Sequence, residues 1–158
     1  MEPRGADRFY LGGDGTAVIN VQRCSAIFPA SQSIAVLNYA LVLVVEDEAI
    51  IALDIAMAIR DAGGQIAGIA ASVKQALALI DTMPISAAIL DANLVDGDIT
   101  PVAEILLAAG IPIIIQSGVG LPADLIARYP DLPVQTKPCT SENLVAQLAL
   151  LIAGRQTA

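Results

Sequence analysis

The sequence predicts an α/β fold in which helices cover both faces of a parallel sheet. Short, continuous apolar runs recur along the chain, beginning with LVLVV at residues 41–45, and such runs are typical of strands buried on both faces. Between them lie segments with apolar residues at helical spacing, such as Ile51, Ile55 and Ile59. Alternating strands and helices form a parallel sheet, because each helix carries the chain back across the sheet.

The predicted elements form five strand–helix units. The predicted strands are residues 41–45, 65–70, 86–90, 111–115 and 133–136, and the predicted helices are residues 48–62, 72–81, 99–109, 123–128 and 141–153. Ser72 is the predicted N-cap of the second helix, Gly110 follows the third, and Thr140 or Ser141 caps the fifth. Five parallel strands in one domain suit the flavodoxin-like order 2-1-3-4-5, a (βα)5 three-layer sandwich.

Residues 1–38 differ from the rest and are predicted to be an N-terminal appendage, partly disordered, ahead of a domain at residues 39–158. They contain several Gly and Pro residues and show no long apolar periodicity. The stretch GGDGT at residues 12–16 matches the glycine-rich nucleotide loop of diacylglycerol and NAD kinases, whose backbone amides hold phosphate. A turn is the favoured interpretation, because too few residues precede it to form the strands that position such a loop.

The composition limits what the chain can bind. It has 158 residues and a formal net charge of −8, which disfavours nucleic acids and suits Mg²⁺. Its mean hydropathy of +0.69 is high, but no apolar stretch reaches the roughly 18–20 residues of a membrane helix. Cys24 and Cys139 lack metal or redox spacing and the sequence shows no signal peptide, so a cytoplasmic protein is expected. Its aliphatic surface is compatible with a homodimer.

Acidic residues follow two of the predicted strands. Glu46 and Asp47 follow the first strand, and Asp91 follows the third. Ligands of such sheets collect at the carboxyl ends of the strands near the switch point, so we expect three carboxylates to converge there. Like charges this close repel one another, and a hard divalent cation such as Mg²⁺ removes the repulsion. Mg²⁺ held in this way usually serves phosphoryl chemistry.

Two further polar residues follow the fourth and fifth strands. Ser117 and Lys137 supply a hydroxyl and an ammonium, which suit the oxygens of an acyl phosphate on Asp91. Each residue alone has an ordinary interpretation as a helix cap, a helix start or a loop lysine, and the chemistry is predicted by the set. Asp96 and Asp98 are predicted to be ordinary loop and cap acids rather than ligands.

Four motifs in this order, VLVVEDE, LDANLVDG, IIQSG and TKP, resemble the receiver domain of bacterial two-component response regulators over residues 41–154. The resemblance implies that Asp91 accepts a phosphoryl group from a phosphohistidine on a histidine kinase or a phosphotransfer protein. It also implies that Ser117 is the switch hydroxyl and that Lys137 is the lysine of the family pattern. The implied Mg²⁺ site comprises Glu46 acting largely through water, Asp47 as a direct ligand, Asp91, and the backbone carbonyl of Asn93.

A narrower likeness is to the single-domain receivers of alphaproteobacteria, which carry a Phe-Ala-Thr-Gly-x-Gly motif after the fourth strand. Here Ile115, Gln116 and Ser117 stand in place of Phe, Ala and Thr. Val134 replaces the aromatic switch residue, and Cys139 replaces a frequent Phe. The chain therefore lacks the aromatic side chain on which the family's usual switch depends, whereas the residues needed for phosphorylation are present. We expect a stand-alone receiver without an output domain, which binds partners, passes phosphate on or drains it from a kinase.

Two other functions remain open from the sequence. The segment Asp91-x-Asn93 resembles a degraded DxD motif of haloacid-dehalogenase-like phosphatases, although those place the nucleophile after their first strand. A pseudo-receiver scaffold that is never phosphorylated is the other alternative, which the intact acids and Lys137 disfavour. Steady turnover of p-nitrophenyl phosphate would indicate a phosphatase, and no response to acetyl phosphate or beryllofluoride with Mg²⁺ would indicate a scaffold.

Overall fold

A five-stranded parallel sheet forms the centre of the computed structural model, which describes residues 36–156. In chain order the strands are β1 (Leu41–Val45), β2 (Gln65–Ala70), β3 (Ala87–Asp91), β4 (Asn93–Leu94), β5 (Gly97–Asp98), β6 (Ile113–Ser117) and β7 (Val134–Thr136). The sheet order is β2-β1-β3-β6-β7, and β4 and β5 form a separate antiparallel pair. The five long strands therefore take the order 2-1-3-4-5, which confirms the predicted topology.

Within residues 36–156, four helices connect the strands of the large sheet and a fifth follows β7, at positions close to the predicted ones. They are α1 (Ala49–Asp61), α2 (Val73–Thr82), α3 (Thr100–Ala108), α4 (Ala123–Arg128) and α5 (Ser141–Gln156). The Ser72 hydroxyl accepts a hydrogen bond from the Gln75 backbone N–H at 3.2 Å, which confirms Ser72 as the N-cap of α2. Gly63 follows α1 with φ of 77°, a left-handed conformation that glycine adopts without steric cost.

The side chains of each strand alternate between two hydrophobic cores, one on each face of the sheet. Val42 and Val44 of β1 face the core that contains helices α1 and α5, where Ile55 and Leu148 are fully buried. Leu43 and Val45 face the opposite core, which contains residues of α2, α3 and α4. This alternation follows from the period of two residues along a strand, and it gives the three layers expected from the sequence.

Strands β3 and β6 extend further toward the carboxyl edge than the sequence predicts. Asp91 pairs with Gln116, and Ser117 pairs with Thr136, so both Asp91 and Ser117 are the last residues of their strands. The hairpin of β4 and β5 was not predicted, because two-residue strands are too short for a periodic pattern. These extensions place Asp91 within the regular sheet, which limits the movement of its backbone.

The described chain begins with a short segment that packs against the C-terminal end of α1. Leu37 is fully buried, and its backbone N–H donates to the Ala62 carbonyl at 2.9 Å. Residues 1–35 of the predicted appendage, with the GGDGT stretch and Cys24, lie outside the described residues. Within residues 36–156, no helix is both long enough and apolar enough to cross a membrane.

Candidate functional site

Three carboxylates converge at the carboxyl edge of the sheet. Strands β1 and β3 are parallel neighbours with Val45 opposite Leu90, so Glu46 and Asp47 emerge beside Asp91. One carboxylate oxygen from each of the three acids lies within 4.8 Å of the others. Within residues 36–156, these are the acids grouped closely enough to share a metal ion. The structure therefore brings together the three acids that the sequence singled out.

The Lys137 ammonium lies among these acids. Its Nζ atom is 2.7 Å from Asp91 Oδ2 and 3.3 Å from Glu46 Oε2. Partial burial lowers the pKa of Lys137, but the hydrogen bonds and negative charges of Asp91 and Glu46 outweigh this effect and raise the pKa overall. The Lys137 backbone N–H also donates to the Ser117 carbonyl at 2.9 Å. Lys137 is therefore held as a cation that faces the carboxylate of Asp91.

Glu46 is almost completely buried, and both of its carboxylate oxygens accept hydrogen bonds. Oε1 accepts from the Glu48 backbone N–H at 3.2 Å, and Oε2 accepts from the Gln116 side-chain amide at 2.8 Å as well as from Lys137. Burial raises the pKa of Glu46, and the charge of Asp91 raises it further, while the Glu48 bond and Lys137 lower it. A cation in the cluster would favour the ionised form.

The residues present fit Mg²⁺. Asp91 is only 5% exposed, and its Oδ1 accepts from the Asn93 backbone N–H at 3.2 Å, which orients the carboxylate. The cluster offers hard oxygen ligands, and three carboxylates face one ammonium, so it carries excess negative charge when ionised. Mg²⁺ takes one or two carboxylates together with waters and substrate phosphate oxygens. The donor set matches that preference.

Solved structures resemble this chain in both fold and sequence. SdrG from Sphingomonas melonis Fr1 is 33% identical with a TM-score of 0.61, and the match covers 73% of this chain and 98% of SdrG. A response regulator receiver protein from Sinorhizobium medicae WSM419 is 26% identical with a TM-score of 0.65, and the match covers 75% of this chain and 98% of that protein. The chain belongs to the response regulator receiver domain family. The resemblance drawn from the four motifs is confirmed.

The same receiver fold occurs in longer proteins. The response regulator PhyR from Brucella abortus is 26% identical with a TM-score of 0.63, over 78% of this chain and 52% of that one. This chain therefore spans about half the length of that PhyR. No protein-family model and no curated protein sequence matches the chain.

In this receiver domain the Ser117 hydroxyl is bonded within its own loop. Ser117 Oγ donates to the Gly120 carbonyl at 2.6 Å and accepts from the Val119 backbone N–H at 3.3 Å. Ser117 ends β6, the strand next to the one that ends at Asp91, but its hydroxyl holds residues 117–120 in a closed turn. The structure therefore places Ser117 at the edge of the site with its hydroxyl committed to the loop.

Two other acids of the receiver domain stabilise helix starts. Asp96 accepts from the backbone N–H groups of Val73 at 2.8 Å and Lys74 at 3.1 Å, and these bonds lower the pKa of Asp96. Asp98 accepts from the Thr100 backbone N–H at 2.9 Å at the start of α3, and its bonds to Thr100 lower the pKa of Asp98. Asp96 therefore lies in a turn and Asp98 on β5, and both carboxylates bind backbone N–H groups at helix starts, as expected of capping acids.

In the sequence, Gln116 stands out only as a departure from the family motif, yet its side chain reaches the acidic cluster. Gln116 is 2% exposed and donates through Nε2 to Glu46 Oε2. Its Oε1 accepts from the Cys139 thiol at 3.8 Å. A polar residue at the end of a predicted buried strand was the available signal, because such a residue must find a partner inside the fold.

Proposed function

We propose that this receiver accepts a phosphoryl group on Asp91 from the phosphohistidine of a histidine kinase or a phosphotransfer protein in a cytoplasmic two-component phosphorelay. The observation that carries the proposal is the contact of the Lys137 ammonium with Asp91 Oδ2 at 2.7 Å beside the acids Glu46 and Asp47. An acidic cluster with a lysine directed at one carboxylate provides both a metal site and a cation for phosphoryl oxygens.

The proposed reaction is an in-line phosphoryl transfer. A carboxylate oxygen of Asp91 attacks the phosphorus atom, the P–N bond to the donor imidazole breaks, and a P–O bond forms, giving an acyl phosphate. When bound, Mg²⁺ would supply positive charge for the transferring phosphoryl oxygens. The proposed ligands are Asp47, Asp91 and the Asn93 carbonyl, with Glu46 acting through water. Lys137 would pair with a phosphoryl oxygen that does not contact the Mg²⁺, because its Nζ already lies next to the Asp91 carboxylate that would carry the phosphoryl group.

We propose that the output runs through residues 117–120. The Ser117 hydroxyl can exchange its bond to the Gly120 carbonyl for one to a phosphoryl oxygen, which would release the closed turn. Val119, at the tip of this turn, is 87% exposed and would be presented differently to a partner. Val134 has no ring to rotate, so the proposed change involves the loop and the neighbouring face of α4, β7 and α5. Such a domain signals by partner binding or acts as a phosphate sink.

The test is the intact mass of the protein after treatment with acetyl phosphate and Mg²⁺. We expect one added phosphoryl group on the wild type and none on Asp91→Asn, which lacks the nucleophilic oxygen pair. Asp96→Asn is the matched control, because it makes the same change in the turn between β4 and β5, outside the cluster, and should be labelled. A folded wild type that never gains mass would favour a scaffold, and steady turnover of p-nitrophenyl phosphate would favour a phosphatase.

A further inference from the structure

The two departures from the family motif at Gln116 and Cys139 meet in space. Gln116 lies on β6, and Cys139 follows β7, 23 positions later in the chain. The Cys139 thiol donates to Gln116 Oε1 at 3.8 Å, while Gln116 Nε2 donates to Glu46 Oε2 at 2.8 Å. The Glu46 carboxylate accepts only from the amide nitrogen, and the thiol is a weak donor to the amide oxygen, so both contacts favour this orientation of the amide.

The Gln116 amide shares its acceptor with Lys137. Both Gln116 Nε2 and Lys137 Nζ donate to Glu46 Oε2, at 2.8 and 3.3 Å. The longer distance belongs to the ammonium, whose shorter bond of 2.7 Å goes to Asp91. The Gln116 amide gives the buried Glu46 Oε2 atom a neutral hydrogen-bond donor. The Lys137 ammonium is therefore not the sole donor to this oxygen. A residue without a donor at position 116 would leave Lys137 and Glu48 as the donors to this carboxylate.

We propose that Gln116 is a positioning residue, which fixes the Glu46 carboxylate in the acidic cluster and leaves the Lys137 ammonium directed at Asp91. The inference rests on the proposed function, because it assigns Gln116 a part in the same metal and phosphoryl site. Outer-shell partners of this kind orient metal-site carboxylates, and their loss typically weakens metal binding by about 10–100-fold. In this receiver Gln116 occupies a place where Ala stands in the family motif, so the contact depends on this chain's own residues.

The test compares Gln116→Met with Gln135→Met. Met keeps the length of Gln116 without the amide. Gln135 is the register partner of Gln116 on β7, and its amide donates to Gln147 at 2.7 Å, so Gln135→Met removes a similar bond without touching the acids. Calorimetric titration with Mg²⁺ is the first measurement. The second is the ¹⁵N resonance of Lys137 Nζ in metal-free protein, which reports the lysine's surroundings without requiring metal or phosphoryl transfer.

We expect Gln116→Met to weaken Mg²⁺ binding by about 10-fold and to shift the Lys137 Nζ resonance, whereas Gln135→Met should change neither. Unchanged Mg²⁺ affinity together with an unmoved Nζ resonance in Gln116→Met would overturn the inference. If the wild type binds no Mg²⁺, the proposed function fails, and the metal-free Nζ resonance alone decides whether Gln116 positions the lysine. Gln116→Ala, which carries the residue of the family motif, replaces Gln116→Met in both measurements if the latter does not fold.

Discussion

Lys137 Nζ lies 2.7 Å from Asp91 Oδ2, although 46 positions separate the two residues in the chain. Strands β3, β6 and β7 are consecutive neighbours in the sheet, so their carboxyl ends meet at one edge. The contact is therefore a product of strand order, and it places a cation at the carboxylate that we propose as the phosphoacceptor.

Asp47→Ala should abolish measurable Mg²⁺ binding, because it removes a proposed direct ligand. The expected loss is larger than the roughly 10–100-fold typical of outer-shell substitutions. Calorimetric titration provides the measurement. Asp61→Ala is the control, since it removes the same charge at the C-terminal end of α1, away from the acidic cluster, and should leave the affinity unchanged. Equal affinities in the wild type and Asp47→Ala would place the cation elsewhere.

Lys137→Ala should separate phosphorylation from switching. Asp91 and the other acids remain, so acetyl phosphate with Mg²⁺ should still label the protein, but the acyl phosphate would lack its ammonium partner. We expect the amide resonances of Val119 and Gly120 to stay at their unphosphorylated positions when beryllofluoride is added. Lys74→Ala removes an exposed lysine on α2 and should respond as the wild type does. A full response of the loop in Lys137→Ala would contradict the role assigned to Lys137.

Asp96→Ala should lower stability in a pH-dependent way. Bonds from the Val73 and Lys74 backbone N–H groups lower the pKa of Asp96 below its ordinary value of 3.8. The contribution of a carboxylate with a lowered pKa is present above the unfolded pKa and is lost as pH falls through the folded pKa. In urea unfolding, the free energy of unfolding of Asp96→Ala should therefore be lower than that of the wild type at pH 7. This difference should narrow below pH 3.8.

The control for this comparison of unfolding at different pH values is Ser72→Ala, which removes the hydroxyl that caps α2. A serine N-cap contributes about 1 kcal/mol to the free energy of unfolding and carries no charge. The loss in free energy of unfolding caused by Ser72→Ala should thus be similar at pH 7 and at pH 3. If the loss in free energy of unfolding caused by Asp96→Ala were also the same at both pH values, the bonds from the Asp96 carboxylate to α2 would not be what stabilises the protein.

Leu37→Ala should lower the free energy of unfolding by about 2–5 kcal/mol, because it removes a fully buried side chain from the core. Its neighbour Val36 is 50% exposed, and Val36→Ala should change stability by no more than about 0.5 kcal/mol. Urea denaturation of the two variants gives the comparison. Similar small effects at both positions would show that the segment before β1 does not contribute to the core in solution.

The sequence by itself determined the order of strands and helices and the positions of the acids at strand ends. These features are local, since a buried strand needs a short apolar run and a covering helix needs apolar residues at helical spacing. Crossover rules then restrict the sheet to few topologies, and strand ends that carry Asp47, Asp91 and Lys137 must meet at one edge.

The tertiary structure alone decided which partner each polar group takes. The Asp96 carboxylate binds backbone groups more than 20 positions away, Ser117 bonds to its own loop, and Gln116 reaches Glu46. Such partners depend on strand register and on packing between distant segments, neither of which has a local pattern. A buried polar group is strongly favoured to find a hydrogen-bond partner, but only the assembled fold determines which atom that partner is.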